Sequence, residues 1–238
     1  MAKIIAIVRT RNEEENIERF CRNYQWVDEI LVADGGSRDK TKELALKFPN
    51  VSVRDYDVFI EMDNGIIRTP HGSHLNFLID WAFIDRQADW VIQDDCDCFP
   101  NKFLKENGRS IMESASLDYV YVTRMYLWKN EGHFPKLCTS KAGEYTPGLW
   151  AWNKKSCLRF RADRISSTES HQELCFIPPD DKVMKLMPPY ALIHCPWQTE
   201  EMVERKLAFY RLSGQIKNMQ HPLHFGGPLE PLPDWCVE

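Results

Sequence analysis

The segment Trp90-Val91-Ile92-Gln93-Asp94-Asp95-Cys96-Asp97 runs from apolar residues directly into three carboxylates. Alternate positions just past a buried strand aim Asp95 and Asp97 into one crevice. They repel each other there unless a cation sits between them. A hard divalent ion, Mn²⁺ or Mg²⁺, suits such oxygen ligands and leaves part of its shell to substrate phosphates. The plain alternative is a solvated acidic turn. Position argues against it, because charge at the end of a central strand is costly without a purpose.

Two further polar clusters follow apolar runs. The first is Arg9-Thr10-Arg11-Asn12-Glu13-Glu14, after Ile4–Val8. Thr10 is suited to touch a nucleotide and Arg11 to approach phosphates, while Asn12 with Glu15 reads as a capping box opening a helix. The second is Asp34-Gly35-Gly36-Ser37-Arg38-Asp39, after Glu29–Ala33. Its glycines allow close backbone approach or positive φ, and Asp34 could accept hydrogen bonds from a nucleobase edge or a ribose hydroxyl. Asp39 reads as a helix N-cap. No Gly-x-Gly-x-x-Gly follows the first strand and no P-loop occurs, so neither phosphate-binding fingerprint applies.

These clusters need a scaffold that brings strand ends together. Short apolar runs at Lys3–Val8, Glu29–Ala33, Val51–Asp55 and Trp90–Gln93 alternate with helix-length segments, one of which carries Leu75, Leu78, Ile79, Ala82 and Phe83 on one stripe. That order predicts right-handed crossovers and a mostly parallel central sheet flanked by helices, with ligands bound past the carboxyl ends of the strands. The second half differs. Strand-like runs at Asp118–Trp128, Leu149–Asn153, Leu158–Arg161 and Tyr190–Cys195 predict a mixed-strand portion, followed by an amphipathic helix from Thr199 to about Lys217 and a Pro/Gly-rich tail over 221–238. The expectation is a single domain, 1–238, with two functional halves, 1–100 and 101–220.

Three motifs in this order, Arg-Thr-Arg-Asn-Glu-Glu-Glu-Asn-Ile, Asp-Glu-Ile-Leu-Val-Ala-Asp-Gly-Gly-Ser-Arg-Asp-Lys-Thr and Asp-Trp-Val-Ile-Gln-Asp-Asp-Cys-Asp, resemble family 2 of the glycosyltransferases, which have the GT-A fold. More narrowly, the chain looks like the branch that includes lipopolysaccharide core β-glycosyltransferases, closely over Lys3–Pro100 and more loosely beyond. The resemblance implies an inverting transferase that moves a sugar from a nucleotide-sugar donor to a glycan or lipid-linked acceptor. It implies that Thr10 and Asp34 touch the nucleoside and that Asp95 and Asp97 hold the metal on the donor diphosphate. Two positions depart from the family: Gly35 stands where a second Asp or a Ser is common, and Asp94 where an apolar residue is usual. Asp94 is counted with Thr10, Arg11, Asp34 and His74 among the nucleotide-sugar contacts. His74 is preferred over Asn76 and Arg68 for a phosphate or sugar contact. The element Glu169-Ser170-His171-Gln172-Glu173 resembles a His-Glu element of the branch, making Glu173 and Glu169 the candidate bases ahead of Asp180 and Asp181. His194, ending a late apolar run, is a third metal ligand or a diphosphate contact. Trp150 and Trp152 read either as a platform for sugar rings or as aromatic core.

With 238 residues, 43% of them hydrophobic, the chain can bury one substantial core. A formal charge of −5 with interspersed signs provides no basic stripe for a nucleic acid. The run at the N-terminus is too short for a signal peptide, and no stretch reaches the ~20 apolar residues of a membrane span. Peripheral contact with a lipid-linked acceptor stays compatible with that. Eight scattered cysteines without zinc-like spacing read as reduced thiols in a cytoplasmic protein. Two other functions fit parts of the pattern. A nucleotidyltransferase making a nucleotide-sugar would share the acidic loop but normally has a glycine-rich basic loop after the first strand. A non-catalytic carbohydrate-binding module would make the acidic loop incidental.

Overall fold

The computed structural model describes residues 1–56, 58, 60–61, 67–68, 70–114, 116–126, 133–135, 147–161, 174–175, 177–195, 201, 204, 208 and 229–231. In chain order the first elements are β1 (Ile4–Thr10), α1 (Ile17–Asn23), β2 (Glu29–Asp34), α2 (Thr41–Ala45) and β3 (Val51–Asp55). The two-residue strands β4 (Ile60–Glu61) and β5 (Ile67–Arg68) pair with each other, and α3 (His71–Asp80) runs on into a π-helical turn at Trp81–Asp85. Then come β6 (Trp90–Gln93), β7 (Cys98–Pro100), α4 (Lys102–Ser114), β8 (Tyr119–Tyr126), β9 (His133–Pro135), β10 (Pro147–Asn153), β11 (Val183–His194) and β12 (Leu229–Pro231).

Eight strands form one mixed sheet in the order β3-β2-β1-β6-β10-β8-β11-β7. Strands β1, β2, β3 and β6 are mutually parallel, as predicted. β10 runs antiparallel to both β6 and β8, which points β8 the same way as β6, and β11 is parallel to β8. Six carboxyl ends therefore share one edge: Thr10, Asp34, Asp55, Gln93, Tyr126 and His194. Only β10 and β7 run against them.

Residues 4–8 of β1 are wholly buried because the strand is covered on both faces. One face packs Ile4, Ala6, Val8, Ile30, Val32 and Ile92 against α1 and α4. The other packs Ile5, Ile7, Leu31 and Val91 against α3 and its π-helical turn. A bulge in β10 between Leu149 and Ala151 sends Trp150 to the first face and Trp152 to the second. Both indoles are fully buried, so they are core and not an exposed platform.

Several local expectations are corrected. The capping box at Asn12 does not form, and α1 starts at Ile17. Asn12 instead takes φ 55°, which its short side chain tolerates, and ties two loops together. Its N–H donates to Ser37 Oγ at 2.8 Å and its Oδ1 accepts the Arg38 N–H at 2.9 Å. Leu158–Arg161 makes a single bridge, Phe160 to Leu174, in place of a strand. The Asn76 side chain substitutes for a strand partner, accepting the Phe160 N–H at 2.9 Å and donating to its carbonyl at 2.8 Å. Neither β7 nor α4 was anticipated, although Leu104, Gly108 and Met112 bury one helical stripe of α4. The Thr199–Lys217 helix lies mainly outside the described residues, with 201, 204 and 208 helical. Of the 221–238 tail, β12 is described and pairs antiparallel with β9. Among the described residues no helix is long and apolar enough to cross a membrane.

Gly108 is where α4 presses on Trp26. A Cβ there would lie 2.7 Å from Trp26 Cη2, and the indole is hemmed in by Tyr24 and Trp150 at 6.4 Å each. Gly108→Ala gains about 1 kcal/mol of helix propensity but overpacks by about 1–3 kcal/mol. Urea unfolding should show a net loss of about 1 kcal/mol, against the gain that an open helix site would give.

Candidate functional site

The shared edge gathers the polar clusters. β1 ends in Thr10 (3% exposed), whose hydroxyl donates to Asp34 Oδ2 at 3.0 Å across the β1–β2 pair. Asp34 is fully buried. Its Oδ1 accepts the N–H groups of Gly36 at 3.1 Å and Ser37 at 2.8 Å, and its Oδ2 also accepts the Ser37 hydroxyl. Gly36 takes φ 78°, a conformation that favours glycine, and this lets the loop wrap around the carboxylate. Asp34 therefore organises its own turn. Asp39 does likewise for α2, accepting the N–H and hydroxyl of Thr41 and the Glu14 N–H. Arg11 is exposed beside them.

Past β6 the chain makes a turn in which Asp95 C=O accepts the Cys98 N–H at 2.9 Å. Cys96 points into the core between Asp95 and Asp97 (3% exposed), and this anchors the alternation inferred from sequence. The two carboxylates find different partners. Asp95 Oδ1 lies 3.3 Å from Arg9 Nη2, and its side chain stays one-third exposed. Asp97 Oδ1 lies 3.2 Å from His194 Nε2.

The Asp97–His194 pair follows from backbone pairing. β7 turns back antiparallel to β11, with Cys98 opposite His194, and the Cys195 N–H donates to the Asp97 carbonyl at 2.9 Å. Asn101 locks the same corner. Its Oδ1 accepts the Leu104 N–H, capping α4, and also the Ala191 N–H, while its Nδ2 donates to the Pro189 carbonyl at 2.7 Å.

Asp97, Cys98 and His194 offer ligand atoms within 4.8 Å of one another. Burial pushes the Cys98 thiol well above its ordinary value, with Asp94 and Asp97 adding to the rise, and soft sulfur is a poor match for a hard divalent ion. The carboxylate and imidazole remain. At metal–ligand distances of about 2.1 Å, adjacent vertices of an octahedral shell are about 3 Å apart. The Asp97–His194 separation fits that spacing, so the residues present fit a divalent ion.

Two predicted donor contacts lie elsewhere than expected. Asp94, 1% exposed, turns to the opposite side of the strand from Asp95. It accepts the Tyr24 hydroxyl at 2.8 Å, faces Arg124 Nη2 at 3.7 Å, and caps the Asp95 N–H at 3.1 Å. Burial pushes its carboxyl up to about 6, with Arg124 and Tyr24 opposing that rise. So enclosed, it has no surface to present to a nucleotide. His74, 3% exposed, stacks on Tyr56 at 4.2 Å, and its Nε2–H donates to the Ala33 carbonyl at 3.0 Å. Glu169 and Glu173 lie outside the described residues, and Asp180 and Asp181 are exposed in a short 3-10 turn. Sequence reasoning missed Arg9, Tyr24 and Arg124 as parts of this region. For Arg9 a signal existed, since a charge at the end of a buried strand calls for a partner.

No family model matches the chain. No curated protein matches it either. Solved structures do. S. aureus TarS 1-349 in complex with UDP-GlcNAc aligns with TM-score 0.56 and 14% identity, covering 84% of this chain and 60% of that one. The fold is of GT-A type. TarS 1-349 in complex with UDP aligns with TM-score 0.53 and 16% identity over 94% and 68% of the two chains. A longer TarS structure gives 0.54 and 17% over 94% and 41%. The chain thus spans about three-fifths of the first of these neighbours, which are GT-A glycosyltransferases.

Burial holds the His74 imidazole down at about 3, with the Arg9 charge assisting and the Ala33 bond opposing. In the unfolded chain the ring takes up a proton near pH 6.5. The unfolded state thus binds more protons between these values, and stability falls as pH drops below about 6.5. At pH 4.5 this group should cost about 2–3 kcal/mol relative to pH 7. Denaturant unfolding at the two pH values should show a smaller acid loss in His74→Gln than in the parent.

Proposed function

We propose that this chain is a glycosyltransferase that takes a sugar from a nucleotide-sugar donor, with a divalent cation on the donor diphosphate. The observation that carries the reading is the Asp97–His194 pair, 3.2 Å apart at the carboxyl-end edge of a GT-A type sheet. Support comes also from the Arg9–Asp95 pair beside it and from the Thr10–Asp34 loop along the same edge.

In this reading Asp97 and His194 hold the cation, and Asp95 shares that work once Arg9 turns toward the phosphates. A bound Mn²⁺ or Mg²⁺ supplies charge to the departing diphosphate. The imidazole in the donor set favours Mn²⁺ over the harder Mg²⁺. The Thr10–Asp34 loop offers its backbone and Arg11 to the nucleotide, since the Asp34 carboxylate is filled by its own turn. Glu173 or Glu169 takes the acceptor hydroxyl's proton, giving inversion in a direct displacement. Residues 1–100 are assigned to the donor and 101–220 to a glycan or lipid-linked acceptor, in the manner of the lipopolysaccharide core branch. The cytoplasmic setting rests on the free thiols of Cys21, Cys96, Cys98, Cys157 and Cys175. The nucleotidyltransferase alternative loses ground because the β1 end, Arg9-Thr10-Arg11-Asn12, has no glycine to cradle a triphosphate.

Calorimetry with UDP, GDP, CDP and ADP, each with Mn²⁺, tests the reading. One diphosphate should bind only with metal, and the matching nucleotide-sugar should be slowly hydrolysed. Asp97→Ala and His194→Ala should each weaken metal-dependent binding about 100-fold or more, with Mn²⁺ preferred to Mg²⁺ in the parent. Metal-independent binding, or none to any diphosphate, would refute it.

A further inference from the structure

Behind the acidic turn lies a polar network that the proposed chemistry does not use. Asp94 has a completely buried carboxylate, and its partner Tyr24 belongs to an apolar core cluster. A buried carboxylate costs several kcal/mol unless it is well paired. Buried polar networks of this kind add little stability and instead select one arrangement of the parts they join.

The parts joined here are specific. Tyr24, at the end of α1, donates its hydroxyl to Asp94 Oδ2 at 2.8 Å and receives the Trp150 indole N–H at 3.4 Å. Arg124, on β8, approaches Asp94 Oδ1 to 3.7 Å and lies against Gly148 of β10, where a Cβ would come within 3.3 Å of its Nε. Arg124 sits opposite Leu192 in the β8–β11 ladder, two residues before His194. Asp94 Oδ1 also accepts the Asp95 N–H, and the Cys98 side chain bonds the same carboxylate. One carboxylate therefore links the first residue of the acidic turn to α1, to β10, and to the strand beside the one that carries His194.

We propose that Asp94, Tyr24 and Arg124 are positioning residues that set the height of the 94–97 turn, so that Asp97 meets His194 at ligand spacing. This inference rests on the metal-binding reading of that pair. The network touches neither nucleotide nor cation. It preorganises the pair, and its removal lowers metal affinity while the fold persists.

The test is Mn²⁺ binding without nucleotide, followed by the loss of free-ion electron paramagnetic resonance signal well below the melting temperature. Parent, Asp94→Asn, Tyr24→Phe and Ile79→Val are compared, each with metal-free thermal unfolding. Asp94→Asn should weaken Mn²⁺ binding about 10-fold or more, as partners outside the metal shell commonly do. Tyr24→Phe should weaken it in the same direction by a smaller factor. Ile79→Val, which loses a methyl from the α3 cluster on the other face of the sheet, should bind like the parent. If Asp94→Asn fails to fold, Tyr24→Phe decides the matter. Parental affinity in both network variants overturns the inference, as does an equal loss in Ile79→Val. A parent that binds no Mn²⁺ overturns the metal reading itself, which keeps the two failures distinguishable.

Discussion

Like charges crowded on one sheet edge are the constraint that organises this molecule. Asp34, Asp94, Asp95 and Asp97 all lie at or just past carboxyl ends of neighbouring strands, where mutual repulsion and lost hydration would each cost several kcal/mol if left uncompensated. Every one has its own remedy. Asp34 collects two N–H and two O–H donors from β1 and its own turn. Asp94 is sunk among Tyr24 and Arg124, Asp95 leans on Arg9, and Asp97 on His194. The first two are sealed within the protein. Of the last two, the Asp95 side chain is 35% exposed and the Asp97 side chain 11%.

That division separates structural carboxylates from chemical ones. A buried acid with all its lone pairs engaged fixes a loop, and a substrate could reach it only by breaking those bonds. A partly exposed acid with one charged neighbour gives up far less to bind a ligand. Asp95 belongs to the second kind, while the 3.2 Å contact of Asp97 with His194 is held by rigid means. The β7–β11 ladder and the side-chain bonds of Asn101 set it from the backbone up, in keeping with the need to preorganise a site on regular elements.

Much of this was legible in the chain. Apolar β-branched runs gave β1, β2 and β6 nearly to the residue, because a strand buried on both faces has no other composition available; the half-buried edge strand β3 was read as well. Asp95 and Asp97 could be singled out because they are carboxylates at alternate positions just past a buried apolar run. Less could be read where a side chain's partner is distant in sequence. Asn12 has the composition of a helix cap and becomes instead a clasp between loops, since Ser37 and Arg38 arrive beside it only in the fold. Asn76, read as a possible ligand contact, pairs with the Phe160 backbone 84 residues away.

The sequence by itself determined the parallel half of the sheet, the polar strand ends and the alternation of the acidic pair, all properties of local pattern and period. Tertiary structure alone decided which acid faces which base. Adjacent residues of a strand point to opposite faces, so Asp94 and Asp95 part company at a single peptide bond, one into the core and one toward Arg9. His194 meets Asp97 only because β7 doubles back against β11, a pairing between residues nearly one hundred apart that no local signal encodes.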